Sequence, residues 1–454
     1  MKKRKTYDFT SLVPASILAL TSHKPLNRLK LPISHKENMG VLYVDVTNFT
    51  KFTETVSSTD YYGVEKITGL LNRYYEVVVN IISYFQGEVV KYGGDSCLSI
   101  FRGKERDVIE NLLACRKMIL EQVQKFGKKY SKSQITDLKV HGSLAFGEAL
   151  FYIIGSVKEG MNYFVGGDAV RMAYELNSRA SAGEIVIDNA ILNKYRKDSS
   201  RIKIPNSIPD YVPPKQVLQS LNERAQLFVP EAIRTKLANK SIKAELRNAI
   251  IIFLNISGSE DGSIISASQY QEIYNILQYR VGELGGSINK IDYSDKGYVV
   301  IITFGIPISY PDNIERAFLC AWRINQTPTE LKLSTGITEC TIYAGIIGAQ
   351  KYCEYGIIGN GVNIAARLMD SAAPGEIIIT ESIVSRIEKR FEVSFIKEIS
   401  VKGIQDKIKM YRLVGELPEN WFAMQQNYER HPVLAREKII ASLSAQLKTK
   451  KRKL

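Results

Sequence analysis

The same ordered set of motifs occurs twice in this 454-residue chain. The segment GEVVKYGGDSCLSIF at 87–101 is matched by GSINKIDYSDKGYVVIITF at 286–304. The segment VGGDAVRMAYELNSRASAGEIVID at 165–188 is matched by IIGNGVNIAARLMDSAAPGEIIIT at 357–380. Because the order is preserved, the self-similarity predicts two copies of one domain. The proline-rich stretch 204–214 between them predicts an extended linker.

Each copy carries the hydrophobic patterns of strands and helices in the same order. A β-branched run opens the first copy at 41–46, and residues 61–84 then place apolar side chains at helical spacing. Residues 89–101 alternate with period two around a Gly-Gly turn, which predicts a β-hairpin. The βαββαβ order predicts an α+β chain of two tandem ferredoxin-like domains. Their open sheet faces can pair head to tail, as a pseudo-twofold dimer within one monomeric chain.

The motif pairs divide the chain into five predicted segments. The first and last of these are the ends of the chain, and the middle one is the linker. The segments are an N-terminal segment packed on the core over 1–32, a first domain over 33–203, a linker over 204–227, a second domain over 228–415, and an extension with a basic tail over 416–454.

The formal net charge of +14 is concentrated at the two ends of the chain. Nine positive charges lie within 2–5 and 448–453, which leaves about +5 over the remaining residues. A nucleic-acid partner is therefore not expected, although the tails leave nuclear import or binding to an anionic membrane surface open. No run approaches the roughly 18 apolar residues of a membrane span, and residues 1–14 lack the apolar core of a signal peptide. We therefore expect a soluble, cytoplasmic protein.

Two acidic residues occupy strand ends that this topology brings side by side. Asp45 ends the first strand, and Asp95 follows the Gly-Gly turn of the adjacent hairpin. Two carboxylates and a main-chain carbonyl, that of Val46, supply the oxygen ligands that Mg²⁺ prefers. The five cysteines and four histidines form no zinc-binding spacing. The alternative is that both acids are solvated surface charges.

The residues that follow Asp45 have the composition of a phosphate-binding turn. Main-chain N–H groups at a turn that leads into a helix can hold a phosphate. The residues concerned are Thr47, Asn48, Phe49 and Thr50. The alternative is a plain helix cap.

The second copy lacks the first acid but carries a different pair of polar side chains. Asn255 stands at the position of that acid, whereas Asn363 and Arg367 lie four residues apart on one face of a predicted helix. An Asn can hold a sugar oxygen, and an Arg can neutralise charge that develops on a phosphorus centre. The first copy has Arg171 and Glu175 at these two positions. The complementary losses indicate one intact composite site at the interface and one degenerate counterpart.

Together these motifs resemble the class III nucleotidyl cyclases, and more closely the tandem catalytic region of the soluble, bicarbonate-responsive adenylyl cyclases. The resemblance extends from about Asp8 to Leu413. It rests on VDVTNFT, GEVVKYGGD, GSINKIDYSDKG, EYGIIGNGVNIAARL, APGEI and VKGIQDKIKMYRL, in that order. It implies an enzyme of cyclic-nucleotide signalling that forms 3′,5′-cyclic AMP and pyrophosphate from ATP.

The resemblance also implies roles for individual residues. Asp45, Asp95 and the Val46 carbonyl would bind two Mg²⁺ ions, which Mn²⁺ can replace. One ion would make the ribose 3′-hydroxyl acidic enough to attack the α-phosphorus, and the other would hold the triphosphate. The remaining implied roles are orientation of the ribose by Asn363, stabilisation of the transition state by Arg367 and binding of the terminal phosphates by Lys402.

Base selection depends on Lys290, which lies at the purine-binding position that the resemblance implies. Adenine N1 accepts a hydrogen bond from an ammonium group, whereas guanine N1 carries a hydrogen, so Lys290 favours ATP. Gly356, followed by Ile357, stands where the family has an Asp or Thr to accept from the adenine amine, which leaves relaxed ATP/GTP selectivity open. His141 stands where the family has an arginine or lysine for the phosphates. The alternative function is therefore a catalytically weak, nucleotide-binding regulatory module.

The degenerate site resembles the bicarbonate site of soluble adenylyl cyclases. Lys91 matches its lysine and Val165 a neighbouring pocket residue, but Tyr174 occupies the position of its arginine. Arg171, one helical turn earlier, is the candidate replacement. Bicarbonate and calcium are therefore candidate regulators. The alternative is a silent site in which Arg171 only balances Glu175.

Overall fold

Two mixed β-sheets, one for each copy, form the body of the structure. The computed structural model describes residues 7–47, 63–130, 138–199, 204–205, 207–212, 218–239, 245–258, 265–294, 297–399 and 407–417. The strands of the first sheet lie between 33 and 187, and those of the second between 245 and 416. The predicted duplication is therefore confirmed as two folded copies.

The first copy follows an N-terminal helix, α1 (Ala15–Ser22). Its elements are β1 (Ile33–Val46), α2 (Gly63–Tyr84), β2 (Gly87–Tyr92), β3 (Cys97–Phe101), α3 (Glu105–Tyr130), β4 (Val140–Ser156), β5 (Gly160–Gly166), α4 (Asp168–Asn177), β6 (Ile185–Ile187) and α5 (Asn189–Ser199). The order β1-α2-β2-β3-α3-β4 confirms the predicted βαββαβ arrangement.

Two short helices, α6 (Gln219–Gln226) and α7 (Glu231–Ala238), precede the second copy. Its elements are β7 (Glu245–Ser257), α8 (Ala267–Glu283), β8 (Ser287–Ser294), β9 (Gly297–Phe304), α9 (Asn313–Asn325), β10 (Lys332–Gly348), β11 (Cys353–Ile358), α10 (Asn360–Ser371), β12 (Ile377–Thr380), α11 (Glu381–Ile387), β13 (Phe391–Ile399) and β14 (Ile408–Glu416). The β13–β14 hairpin extends this sheet past the strands that correspond to the first copy.

The two sheets share one strand order around a long central pair. The first sheet has the order β2-β3-β1-β4-β5, with β6 paired with β4. The second has the order β13-β14-β12-β10-β7-β9-β8, with β11 paired with β10. In both, the hairpin lies beside the first strand of its copy, so the hairpin turn lies next to the end of that strand. The predicted α+β fold is confirmed.

Helix α2 covers one face of the first sheet because its apolar side chains form a stripe. The buried side chains recur at helical spacing and are Ile67, Leu71, Tyr74, Tyr75, Val78 and Ile82. They form one cluster with Leu42 and Val44 of β1. Burying one side chain of this size contributes about 1.5–3 kcal/mol to stability. Of the helices that the structure describes, none has both the length and the apolar character needed to cross a membrane.

Equivalent contacts in opposite directions join the two copies. The Asn72 side chain on α2 donates to Ile346 O (3.3 Å) and accepts from Gly348 N (3.0 Å) on β10. The Gln271 side chain on α8 accepts from Gly155 N (3.0 Å) and donates to Gly155 O (3.1 Å) on β4. Each helix therefore binds the end of the long strand of the other copy. This reciprocity agrees with the predicted head-to-tail, pseudo-twofold pairing within one chain.

The N-terminal segment packs on helix α6. Asn222 Oδ1 accepts from Phe9 N (2.7 Å), and its Nδ2 donates to Tyr7 O (3.0 Å). The Arg224 guanidinium donates to Lys24 O (2.6 Å). Asn222 and Arg224 are both buried. Their hydrogen bonds to the main chain satisfy these side chains and hold the segment against the body of the protein.

Candidate active site

A cleft of ≈ 370 Å³ lies between the two copies. The first copy lines it with the β2–β3 turn, and the second lines it with β8, β11 and α10. Cavities that hold nucleotide-sized ligands have volumes of about 300–1,000 Å³. The predicted site residues that line this cleft are Lys91, Asp95, Lys290, Gly356, Ile357 and Asn363. Candidates from both copies therefore meet in one cleft.

The turn that carries Asp95 is fixed by hydrogen bonds from two buried or half-buried tyrosines. Gly94 adopts φ = 85°, a left-handed conformation that favours glycine. Tyr75 on α2 donates to Gly94 O (2.8 Å), and Tyr43 on β1 donates to Ser96 Oγ (2.8 Å). The sequence pattern predicted the hairpin, and these contacts set the position of Asp95 beside the end of β1.

Asp45 lies at the end of β1, opposite His141 of β4. Its Oδ2 is 3.6 Å from His141 Nε2, whereas its buried Oδ1 has no hydrogen-bond partner among the described residues. Burial raises the pKa of Asp45, although the His141 ring and the N–H of Val46 oppose the shift. A buried polar atom without a partner costs about 1–3 kcal/mol. A bound cation would relieve this cost.

Asp95 has a pKa well above its ordinary value, raised first by burial and then by repulsion from the Asp45 carboxylate. Two acids that repel each other in this way are stabilised by a cation between them. Among the residues that the structure describes, no three or more His, Cys, Asp and Glu side chains form a metal-binding group. Further ligands would therefore be the Val46 carbonyl, water and phosphate oxygens. The residues present fit a hard divalent cation.

The predicted phosphate-binding residues lie partly outside the described ranges. Those outside are Asn48, Phe49, Thr50 and Lys402. Thr47 is described: its N–H donates to Lys139 O (2.8 Å), and its Oγ1 lies 3.4 Å from His141 Nδ1. The two ring nitrogens of His141 therefore face Thr47 and Asp45. This places His141 next to Asp45.

Asn363 and Arg367 lie one turn apart on the exposed face of α10. The opposite face packs on β10, where Gly336 allows an unusually close approach. A Cβ at Gly336 would collide with the main chain of Ala365 and Met369. The helix is thus held directly on the sheet, Asn363 lines the cleft, and Arg367 follows on the same face.

Lys290 forms an ion pair at the wall of the cleft. Its Nζ is 3.3 Å from Glu354 Oε2, and the two side chains are only 12% and 16% exposed. Glu354 Oε1 accepts from Tyr352 Oη (2.5 Å) and from Tyr92 N (3.3 Å). Burial acts to raise the pKa of Glu354, but attraction to Lys290 and Lys91 and these hydrogen bonds outweigh it, so the pKa is lowered. Glu354 is therefore an ionised acceptor.

Glu354 is a cleft residue that the motifs in the sequence did not predict. It lies two residues before Gly356 on β11, so the two residues share one face of the strand. This alternation was the signal that could have found it. A Cβ at Gly356 would lie 2.6 Å from Cδ1 of Ile347, which fills the space on this side of the strand. Glu354 therefore places its carboxylate at this wall of the cleft, whereas Gly356 places no side chain there.

Lys91, which was predicted for the degenerate site, lines this same cleft and is buried, with only 5% of its surface exposed. Its Nζ lies 4.1 Å from the centroid of the Tyr163 ring. Burial lowers the pKa of Lys91 to about 8, against the attraction of Glu354. A buried ammonium group of this kind can attract a small anion.

The other residues of the predicted regulatory site lie in different surroundings from Lys91. Val165 is buried in the first sheet. Tyr174 lines the cleft, with its ring 4.8 Å from the ring of Tyr43. Arg171 is 45% exposed and pairs with Glu175 at 2.6 Å. The structure thus has Tyr174 at the cleft and Arg171 in a surface ion pair.

A protein-family model, the adenylate and guanylate cyclase catalytic domain, matches residues 31–208 and again 246–415. Adenylate cyclase type 10 of Homo sapiens is 26% identical over 466 residues, which cover 88% of this chain and 28% of the relative. The protein of that name from Rattus norvegicus is 27% identical over 455 residues, which cover 87% of this chain and 28% of the relative. The chain therefore matches only 28% of the length of these relatives.

Among solved structures, a class III adenylyl cyclase-like ATP-binding protein from Pseudomonas aeruginosa aligns with both copies. The alignment covers 81% of this chain and 90% of that one, with a TM-score of 0.53 and 12% identity. This likeness concerns the fold. Together with the two matches of the family model, one to each copy, it agrees with the fold described above. The chain belongs to the adenylate and guanylate cyclase catalytic domain family.

Proposed function

We propose that this chain is an adenylate cyclase that converts ATP to 3′,5′-cyclic AMP and pyrophosphate between its two copies. The observation that carries the proposal is the composition of the cleft. The first copy contributes Asp95, and the second contributes Lys290 and Asn363. The position of Asp45 holds Asn255 in the second copy, so only one of the two equivalent sites retains both acids. Retention of the complete complementary set favours an active enzyme over a weak nucleotide-binding module.

Asp45, Asp95 and the main-chain carbonyl of Val46 would hold two Mg²⁺ ions, or Mn²⁺ in their place. The unpartnered Oδ1 of Asp45 and the raised pKa of both carboxyl groups support this assignment. When bound, the ions make the ribose 3′-hydroxyl more acidic and neutralise the departing pyrophosphate. Because the acids retain protons more readily than free Asp, metal binding would release protons.

Asn363 and Arg367 would act on the ribose and on the reacting phosphate. The Asn363 amide can hydrogen-bond a ribose oxygen and so fix the direction from which the 3′-hydroxyl attacks. The Arg367 guanidinium can donate two parallel hydrogen bonds to the α-phosphate oxygens as charge develops on them. Both side chains are carried by α10, which lies directly on β10, so their positions are set before the nucleotide binds.

Lys290 supports ATP as the substrate. Its ammonium group, which pairs with Glu354 at the cleft wall, can donate to the unprotonated N1 of adenine. Guanine would present the N1 hydrogen there. Gly356 has no side chain, so position 356 itself supplies no acceptor for the 6-amino group. If no other residue supplied one, the preference for ATP over GTP would be reduced by roughly 2- to 10-fold, because such a bond contributes about 0.5–1.5 kcal/mol.

Product analysis with purified protein tests this proposal. The protein is incubated with ATP or GTP and with Mg²⁺ or Mn²⁺, and the nucleotides are separated by chromatography. We expect equimolar cyclic AMP and pyrophosphate from ATP, and no product from an Asp95→Asn variant. Absence of cyclic AMP with either metal would contradict the proposal. Equal rates with ATP and GTP would assign a nucleotide cyclase of relaxed selectivity.

Bicarbonate and calcium are the proposed regulators. Lys91 is the residue that would bind bicarbonate, since it is a buried cation that lines the cleft. Arg171 would contribute little, because Glu175 already pairs with it. Calcium prefers the same carboxylate and carbonyl oxygens as Mg²⁺, so it would act at Asp45 and Asp95.

A further inference from the structure

The wall of the cleft that would hold the purine has a donor and an acceptor side by side. The donor is Lys290 Nζ, and the acceptor is Glu354 Oε2, 3.3 Å away. Both residues line the same cleft. Position 356, where the family has an acceptor, is a glycine whose free space is filled by Ile347. Any side-chain acceptor for the base at this wall must therefore come from elsewhere.

Glu354 is fixed so that one oxygen remains available. Its Oε1 accepts from Tyr352 Oη and from Tyr92 N, one contact from each copy. The Oε2 atom then faces Lys290. The lowered pKa agrees with an ionised group, which can only accept hydrogen bonds. A carboxylate oxygen can accept from a second donor while it remains paired with Lys290.

We propose that Glu354 is a specificity-determining residue, whose Oε2 accepts a hydrogen bond from the 6-amino group of adenine while Lys290 donates to N1. This inference rests on the proposed function. N1 and the 6-amino group are adjacent on one edge of adenine, as an acceptor and a donor. The pair formed by Lys290 and Glu354 presents the complementary donor and acceptor. Guanine bound in the same orientation would place O6 against the carboxylate and the N1 hydrogen against the ammonium group.

The first copy has no equivalent carboxylate. In the aligned motifs, Asn162 corresponds to Glu354 and Phe164 corresponds to Gly356. The Asn162 side chain accepts from the N–H of Tyr163 (2.8 Å). The acceptor for the purine is thus present in only one of the two related walls, the same one that carries Lys290.

A substrate without the 6-amino group distinguishes a direct contact of Glu354 with the base from an indirect effect of Glu354 through Lys290. Purine riboside 5′-triphosphate has the N1 acceptor of ATP but lacks the 6-amino group. Glu354→Gln preserves the size of the side chain, and its amide oxygen is expected to remain with Tyr352 and Tyr92. The amide NH₂ would then face the base in place of an acceptor.

The measurement is kcat/KM for ATP and the analogue, with GTP as a third substrate, for wild type, Glu354→Gln, Glu354→Met and Lys290→Met. We expect wild type to prefer ATP over the analogue by about 10–100-fold. Glu354→Gln should lower kcat/KM for ATP by this 10–100-fold factor. The same variant should change kcat/KM for the analogue by less than about threefold. Lys290→Met is the matched control. Because ATP and the analogue both have N1, this variant should lower kcat/KM equally for the two nucleotides. Glu354→Met, which has no polar group at its end, should repeat the result of Glu354→Gln.

Equal losses with both nucleotides in the Glu354 variants would overturn the inference and leave Glu354 as a positioning residue for Lys290. A loss confined to GTP would also overturn it, since the carboxylate would then bind guanine. If no nucleotide were cyclised, the proposed function would fail separately. Dissociation constants of ATP and the analogue, measured by calorimetry with Ca²⁺, would still give the same comparison. Thermal unfolding of each variant shows whether a loss reflects misfolding.

Discussion

Lys91 and Lys290 occupy corresponding positions in the two copies but have different surroundings. In each hairpin the pairing shifts register immediately before the lysine, between Val89 and Lys91 or between Ile288 and Lys290. Lys290 pairs with Glu354 at the cleft wall, whereas Lys91 lies over an aromatic ring and has a pKa of about 8. The same backbone therefore gives two chemically different lysines: Glu354 forms an ion pair with Lys290, whereas Lys91 feels the same carboxylate but is buried against the Tyr163 ring.

The helices α4 and α10 differ in the same manner. On α4, Arg171 is paired with Glu175 on the surface. On α10, the corresponding residues are Asn363 and Arg367, and both are exposed on the face that includes the cleft. Equivalent helices on equivalent sheets thus carry either an internal ion pair or groups that can bind a nucleotide. The two copies therefore share a fold but carry different side chains at these corresponding positions.

The largest expected difference between the copies concerns the acidic residues. Asp95→Asn should lower kcat by more than about 100-fold, because loss of even an outer-shell partner of a metal costs 10–100-fold. Asn255→Ala, at the position in the second copy that corresponds to Asp45, should change kcat by less than about threefold. Rates of cyclic AMP formation check both. Similar losses for the two variants would remove the assignment of the metal to the first copy.

Arg367 and Arg171 provide the next comparison. Arg367→Ala should lower kcat by about 100-fold with little change in KM, because its hydrogen bonds are expected to strengthen in the transition state. Arg171→Ala should have less than a twofold effect, since exposed ion pairs contribute little. Steady-state kinetics of both variants test this. A change confined to KM in Arg367→Ala would assign it to ground-state binding.

Metal-free protein should carry the cost of two buried acids that repel each other. Asp45→Asn removes the repulsion, so its melting temperature without metal should exceed that of wild type by about 2–4 °C for each kcal/mol gained. Mn²⁺ should raise the melting temperature of wild type more than that of the variant. Calorimetry with and without a chelator measures both shifts. If Asp45→Asn had the same metal-free melting temperature as wild type and the same shift with Mn²⁺, the account would be contradicted.

The same acids predict the sign of a pH effect. Their pKa values are raised in the folded state. Above pH about 3.9, the usual pKa of Asp, the unfolded chain loses these protons before the folded chain does. The free energy of unfolding of metal-free wild type should therefore fall as the pH rises through this window, and the slope should be smaller in Asp45→Asn. Urea titrations at several pH values measure the slope. A free energy of unfolding that rises with pH in this window would contradict the assignment.

The smallest effect is expected at the degenerate site. Bicarbonate should activate by a few-fold at neutral pH and lose this effect above pH about 8, where Lys91 loses its charge. The charged groups that face Lys91 are Glu354, Lys290 and Asp292, and Tyr163 covers it. Lys91→Met should abolish the response at every pH. A response that persists in this variant would place the anion elsewhere.

The duplication and the order of helices and strands along the chain could be predicted from the sequence because they depend on local patterns. Alternation around the Gly-Gly turn defined the hairpin, and the end of the first apolar run marked Asp45. Pairing of the two copies followed from the open sheet faces of a ferredoxin-like domain. These features can be predicted without knowledge of the contacts that individual side chains make.

The surroundings of the site residues could not be predicted in this way, because they depend on contacts between distant segments. Glu354 is held by Tyr92 of the other copy, and this contact exists only when the two sheets pair. His141 meets Asp45 only through the register of β1 and β4. The space beside Gly356 is filled by Ile347 of a neighbouring strand. Each depends on tertiary packing, which residue spacing does not encode.

The most direct test of the composite site combines two inactive variants. Asp45→Asn and Arg367→Ala are purified separately, and cyclic AMP formation is measured for each, for their equimolar mixture and for wild type. If both halves of the site come from one chain, wild type should be active and the mixture should remain as inactive as its components. Recovery of a substantial fraction of wild-type activity in the mixture would show that the halves come from different chains, and it would contradict the account.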